Sequence, residues 1–120
     1  MSSLYQALIL DHYRNPRHHG TLAKHTHAAN AHNPTCGDRL EMQLLLKDGI
    51  IEDVMFSGSG CAISQASASL LTEFLIGKTP EEAKRIGKDD LLALLGVNLS
   101  PNRLKCALLS LETLTKALKS

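Results

Sequence analysis

The residues best suited to chemistry are three cysteines, Cys36, Cys61 and Cys106, and one aspartate, Asp38. Thiolate is both a nucleophile and a metal ligand. Cys36 follows Asn33-Pro34-Thr35 and precedes Gly37-Asp38, at a turn leading into a strand. Cys61 follows Gly58-Ser59-Gly60, at the expected N-terminus of a helix. Cys106 falls within two turns of the start of the last helix. A structural cysteine more often sits mid-element on an apolar face. A helix N-terminus instead favours thiolate over thiol. The cysteines are 25 and 45 positions apart, so they form no C-x-x-C pair. Any shared site must be assembled by the fold; the plain alternative is three unrelated buried cysteines.

Asp38 lies two residues from Cys36, so in an extended segment both side chains point the same way. Cys36, Asp38, Cys61 and Cys106 together offer four anionic ligands. Such a set suits tetrahedral zinc. It also suits a small iron–sulfur cluster, normally held by four thiolates. A carboxylate in place of one thiolate should hold the cluster less firmly, as fits a protein that gives it away. The alternative for Asp38 is a turn residue that satisfies backbone N–H groups after Gly37. Lys105, beside Cys106, cannot ligate while protonated, but its charge would lower the Cys106 pKa or pair with Asp38. Its alternative is a solvated helix lysine. Five of the six histidines, His18, His19, His25, His27 and His32, fall in a polar stretch over 15–35 and read as solvated loop residues. His32 could neighbour the site.

The elements that must position these residues can be read from periodicity. Residues 2–14 read as a helix, with Leu4, Ala7, Leu8 and Asp11 on neighbouring positions and Tyr5, Ile9 and His12 flanking them; Ser2 or Ser3 could cap it, and Asn15-Pro16 stops it. A short strand near 25–31 is only weakly signalled. Arg39–Lys47 and Ile50–Ser57 are the clearest strands, joined by Asp48-Gly49, which suits a type I′ turn. The first places Leu40, Met42, Leu44 and Leu46 on one face. The second alternates less cleanly, with Ile51 and the pair Val54 and Phe56 against Glu52 and Asp53. Ser57-Gly58-Ser59-Gly60 is expected to break that strand. Cys61–Ile76 reads as a helix rich in small residues, ended by Gly77. Thr79-Pro80-Glu81-Glu82 is a capping box opening a short helix to about Ile86. Asp89 or Asp90 should start another, closed by Gly96. Ser100-Pro101 should cap a final helix to about Leu118, with a face of Leu104, Leu108, Leu111, Thr115 and Leu118.

At roughly 100–200 residues per domain, 120 residues give a single domain over 1–120. Thirteen basic and twelve acidic residues leave a net charge of +1, which argues against a nucleic-acid partner. Only four aromatics are present, too few for a single-strand stacking platform. No apolar run is long enough for a membrane span, and Met1–Gln6 does not read as a secretory signal, so the expectation is no membrane partner and a cytoplasmic location. An odd cysteine count fits a compartment where disulfides are disfavoured.

Four stretches carry a resemblance: Leu4-Tyr5 with Ile9–Arg17, Asn33–Asp38, Gly58–Ser69, and Arg103–Ala107. In order and spacing the chain resembles the U-type iron–sulfur scaffold family of IscU, SufU and the NifU N-terminal domain, over essentially its full length. The resemblance implies an α+β fold: a small antiparallel sheet of about three strands packed on one face by helices, with the cysteines and the aspartate at one exposed tip. It implies that Cys36, Asp38, Cys61 and Cys106 bind zinc or a nascent [2Fe–2S] cluster. It also implies that Cys36 or Cys106 accepts persulfide sulfur from a cysteine desulfurase of the IscS or SufS type, by thiol exchange. Iron then enters, and electrons reduce the sulfur to sulfide. Apo iron–sulfur proteins are the implied acceptors, and a homo-oligomer sharing a loaded cluster is open.

Four features divide the subfamilies. Lys105 stands where the IscU type carries histidine, and Ala62–Ser67 is SufU-like. The 45-residue gap between Cys61 and Cys106 leaves no space for the extra helix usual in SufU. The IscU chaperone-binding stretch would fall at Leu99–Arg103, where only Leu99, Pro101 and a positive charge match, which speaks against a dedicated IscU-type chaperone. The expected function is therefore a scaffold, with a zinc-dependent SufU-type sulfurtransferase as the enzymatic alternative and a structural zinc module third.

Overall fold

The computed structural model describes residues 3–34, 37–96 and 98–119. The order is α1 (Ser3–Arg14), β1 (His27–Asn33), β2 (Asp38–Lys47), β3 (Ile50–Ser59), α2 (Ala62–Leu75), α3 (Pro80–Lys84), α4 (Lys88–Leu95) and α5 (Pro101–Lys119). The strands form one antiparallel sheet in the order β1-β2-β3. Its inner face packs on helices: α5 lies against β1 and β2, and α2 against β3. α1 packs on α2. This is the expected α+β architecture.

The alternation in β2 buries Leu40, Met42 and Leu44, with Leu46 half-buried, and also turns Asp38 inward at the strand's first residue. β3 alternates less cleanly for a definite reason. The register slips between Leu45 and Leu46, so that Asp53 faces Leu45 while Ile51 faces Leu46. The extra residue at this bulge lets Ile51 and Val54 both face the core. The β2–β3 turn has positive φ at Asp48 (55°) and Gly49 (81°), as a type I′ turn requires.

Three expectations need correction. β3 does end within the Ser57–Gly60 run, but two residues later than expected, at Ser59. Gly58 pairs with Leu40, where a Cβ would collide with the Arg39 carbonyl oxygen, so this glycine permits close strand approach. The α4 cap is not an aspartate: Gly87 occupies that position, and Asp90 accepts its N–H at 2.8 Å from inside the first turn. The buried face of α5 is not the leucine row. It runs through Cys106, Ala107, Leu109, Ser110, Thr113, Leu114, Ala117 and Leu118, while Leu104, Leu108 and Leu111 are half-buried and Thr115 is exposed. Small and hydroxylated residues let α5 sit close on the sheet. Their hydroxyls donate back into the helix, Ser110 to Ala107 O at 3.1 Å and Thr113 to Leu109 O at 2.7 Å.

α1 similarly buries Ile9 and His12, the flank of its expected face; the side chains of Leu4 and Tyr5 lie outside the described part. The weak strand signal near 25–31 becomes β1. The polar segment before it runs along the free side of β3, where His18 O accepts Phe56 N–H and Gly20 N–H donates to Phe56 O, each at 2.8 Å. His19 stacks edge-on against Phe56.

Candidate metal and sulfur site

Three elements deliver side chains to one end of the sheet. Asp38 opens β2, Cys61 is the N-cap of α2, and Cys106 sits in the second turn of α5. One ligand atom from each lies within 4.8 Å of the others. Cys36 falls outside the described residues. Cys61 is exposed, whereas Asp38 and Cys106 are buried, so among the described residues the expected exposed tip presents only one of its donors to solvent.

The Asp38 carboxylate organises the start of α2. Its Oδ1 accepts the Cys61 backbone N–H at 3.1 Å, and its Oδ2 lies 3.5 Å from Cys61 Sγ. A negative group at a helix N-terminus is stabilised by the helix dipole. Gly60 makes this contact feasible: a Cβ there would clash with Ser64 Oγ and come within 2.9 Å of the Asp38 carboxyl carbon. Ser64 is fully buried, donates to Cys61 O at 3.1 Å and lies 3.9 Å from Cys61 Sγ. Sequence reasoning did not single out Ser64, although its place three residues after the capping Cys61 was a signal for it. Gln65, next along, has a buried amide nitrogen with no hydrogen-bond partner among the described residues.

The donor chemistry fits a metal. Zinc bonds of about 2.0–2.3 Å set tetrahedral ligands about 3.5 Å apart, and Asp38 and Cys61 already stand at that spacing. Two sulfurs and a carboxylate are donors zinc accepts, and thiolates hold iron–sulfur clusters.

Lys105 is exposed beside Cys106 and makes no ion pair among the described residues. It lines a cavity of about 890 Å³ together with Cys61, Cys106, Ile9, Leu99 and Arg103. His32 is exposed and lines two smaller hollows, one over the sheet beside Arg39 and Glu41 and one against α5 beside Lys105 and Glu112. His12 is buried away from these donors. Its Nδ1 is 2.7 Å from Ser69 Oγ, and its Nε2 is 3.6 Å from Glu73 Oε1. Burial, aided by the Arg17 charge, holds its pKa below the usual imidazole value. Its role is to join α1 to α2.

A three-stranded antiparallel sheet backed by helices, with two thiols and a carboxylate gathered at one end, defines a class of small α+β proteins built around a sulfur-rich metal-type site. Comparison with known proteins narrows the class. The chain belongs to the NifU-like N terminal domain family, whose pattern matches residues 4–120. It is 39% identical to the zinc-dependent sulfurtransferase SufU of Bacillus subtilis, over 97% of this chain and 90% of SufU. It is 37% identical to the iron–sulfur cluster assembly scaffold protein IscU of Streptococcus pyogenes, over 99% of this chain and 85% of that protein. Among solved structures, it superposes with a TM-score of 0.81 on a candidate SUF-system cluster assembly scaffold from Fervidobacterium islandicum, at 30% identity, covering 98% of this chain and 99% of the other. The SufU alignment spans 133 positions against 120 residues here, so part of SufU has no counterpart in this chain. Among the described residues, no helix is long and apolar enough to cross a membrane.

Proposed function

We propose that this protein is an iron–sulfur cluster assembly scaffold. It takes sulfur from a cysteine desulfurase and iron from a donor, builds a labile [2Fe–2S] cluster as cargo, and passes it to apo-proteins. The observation that carries this reading is the convergence of Asp38, Cys61 and Cys106 within 4.8 Å, drawn from three elements of a chain with IscU and SufU relatives. Cys36, two residues before Asp38, is the fourth ligand in this reading.

Sulfur arrives by exchange. A thiolate of Cys36 or Cys106 attacks the outer sulfur of the desulfurase persulfide, and the desulfurase thiolate leaves. An external reductant supplies the electrons that convert bound sulfur to sulfide. The Asp38 carboxylate is a harder donor than the thiolates around it. It therefore weakens the grip on a cluster relative to four thiolates, which suits release. Lys105 adds positive charge beside Cys106 and so favours its thiolate.

The sulfurtransferase reading is favoured by one observation, the 39% identity to zinc-dependent SufU. There Cys36, Asp38, Cys61 and Cys106 would hold zinc, which stabilises the thiolates as ligands. One experiment separates the two. The chain is incubated with a cysteine desulfurase, cysteine, iron and reductant, and visible absorption and turnover are followed. Cluster absorption that moves to an apo-ferredoxin is the expected result. Zinc-dependent stimulation of the desulfurase with no cluster would establish the transferase instead. Neither outcome would leave a structural metal module.

A further inference from the structure

A cavity opens beside the thiols, between α1, the start of α2 and the segment leading into α5. Its volume of about 890 Å³ lies within the range of small-molecule sites. Its lining is divided. Ile9, Ile63 and Leu99 supply apolar wall, Arg103 and Lys105 supply two cations, and Cys61 is the one exposed thiol among the described cysteines. Neither cation is paired with a carboxylate among the described residues. Cys61 sits at the N-terminus of α2 in an extended conformation, with φ −74° and ψ 170°.

We infer that this cavity admits a low-molecular-weight persulfide bearing carboxylates, of di- or tripeptide size, and that such a persulfide transfers its outer sulfur to Cys61. The inference rests on the sulfur-handling reading of the site and adds a second entry route for sulfur, without a protein donor. Three observations support it. Two unpaired cations at the mouth attract carboxylates. The volume exceeds what a lone cysteine side chain from a partner would fill. Of the two described thiols that line the cavity, Cys61 is exposed whereas Cys106 is buried.

The step balances. Cys61 sulfur attacks the outer sulfur of R–S–SH, forming one S–S bond as the original S–S bond breaks. Cys61 then carries –S–SH, and R–S⁻ leaves with the proton that the Cys61 thiol gave up. No net oxidation occurs and no further reactant is needed.

The test uses the intact chain and two probes with the same reacting persulfide: glutathione persulfide, which bears two carboxylates, and its diethyl ester, in which both carboxylates are masked and the amino group is retained. Mass spectrometry of peptides then locates the added sulfur. The expected result is sulfur on Cys61, loaded about tenfold faster from the anionic probe at low salt, the lower end of what a charged mouth adds to association. That advantage should vanish in Arg103→Glu, while loading from the ester persists, showing that the variant is folded and its thiol competent. Equal rates for the two probes in the unmodified chain overturn the inference, as does sulfur on Cys106 with Cys61 unmodified. Desulfurase-driven cluster assembly is run alongside. If that succeeds while glutathione persulfide fails, the entry route falls and the scaffold stands; if assembly fails as well, the scaffold reading falls with it.

Discussion

Next to Cys61 stand two side chains whose hydrogen bonding decides how tightly the first turn of α2 is held. Ser64 satisfies itself on the Cys61 carbonyl. Gln65 does not, for its amide nitrogen is buried without an acceptor among the described residues. An orphaned buried donor costs on the order of 1–3 kcal/mol, and a side chain of the same shape without polar atoms avoids that cost. Gln65→Met is therefore expected to raise unfolding free energy by about 1 kcal/mol, read as an upward shift of the urea midpoint with unchanged slope. A lower midpoint would show that Gln65 is held by contacts its hydrogen-bond pattern does not reveal. Gly60 works in the opposite sense. Because a Cβ there meets both Ser64 and the Asp38 carboxyl group, Gly60→Ala should push Asp38 off the Cys61 N–H. The expected outcome is zinc affinity reduced by about tenfold, the scale seen when groups supporting metal ligands are lost, with far-UV circular dichroism unchanged. Zinc titration against a chromophoric chelator reads this directly, and undiminished affinity would remove Gly60 from the site's construction.

Between elements, the joint of α1 and α2 rests on His12. Ser69 Oγ accepts the Arg17 N–H at 2.8 Å and also meets His12 Nδ1, so one hydroxyl ties the end of α1 to the middle of α2. Burial keeps His12 below its ordinary pKa. The unfolded chain therefore binds a proton at higher pH than the folded chain does. Stability tied to neutral His12 is complete above the unfolded value of about 6.5. It declines as pH falls through that value toward the folded one. Denaturant midpoints should thus fall between pH 7.5 and pH 5.5, and His12→Gln should flatten that decline. A slope identical in the variant would assign the effect to other groups. This joint also shows what sequence could and could not reveal. The hairpin was legible because Asp48-Gly49 and the β2 alternation are local signals, and so was the Thr79 capping box, whose two hydrogen bonds are present at 3.0 and 3.1 Å. The buried faces of α1 and α5 were not, because hydrophobic periodicity favours large leucines. Close helix–sheet packing in this fold instead selects Ala107, Ser110, Thr113 and Ala117. The bulge at Leu45/Leu46 likewise arises from pairing between strands, which no single strand announces. For the site, residue types and family pattern pointed to Cys36, Asp38, Cys61 and Cys106, of which Cys36 lies outside the described residues, while Ser64, Gly60 and the cavity depend on three-dimensional neighbours.

For the molecule as a whole, the site is a junction as well as a set of ligands. Asp38, Cys61 and Cys106 belong to β2, α2 and α5, segments far apart in sequence that meet only when the chain is folded. A metal ion bound there binds the native state and not the unfolded one, so its binding free energy adds to folding stability. At zinc concentrations 100 times the dissociation constant the gain is about 2.7 kcal/mol. The protein should therefore unfold at a higher denaturant concentration with zinc than with a chelator, and Cys106→Ser should lose most of the difference. Cys106 lies within the core, among the buried residues that join α5 to the rest of the fold, so pulling it toward a metal also tightens that contact. Removal of a cluster would then loosen the same junction, coupling cargo release to the mobility of α5 and the cavity wall beside it. Hydrogen exchange along Pro101–Lys119, measured with and without zinc, separates this from a purely local effect: slower exchange with zinc is expected over the buried positions Cys106 to Leu114, and protection confined to the residues flanking the thiols would show that the junction does not transmit binding into the fold.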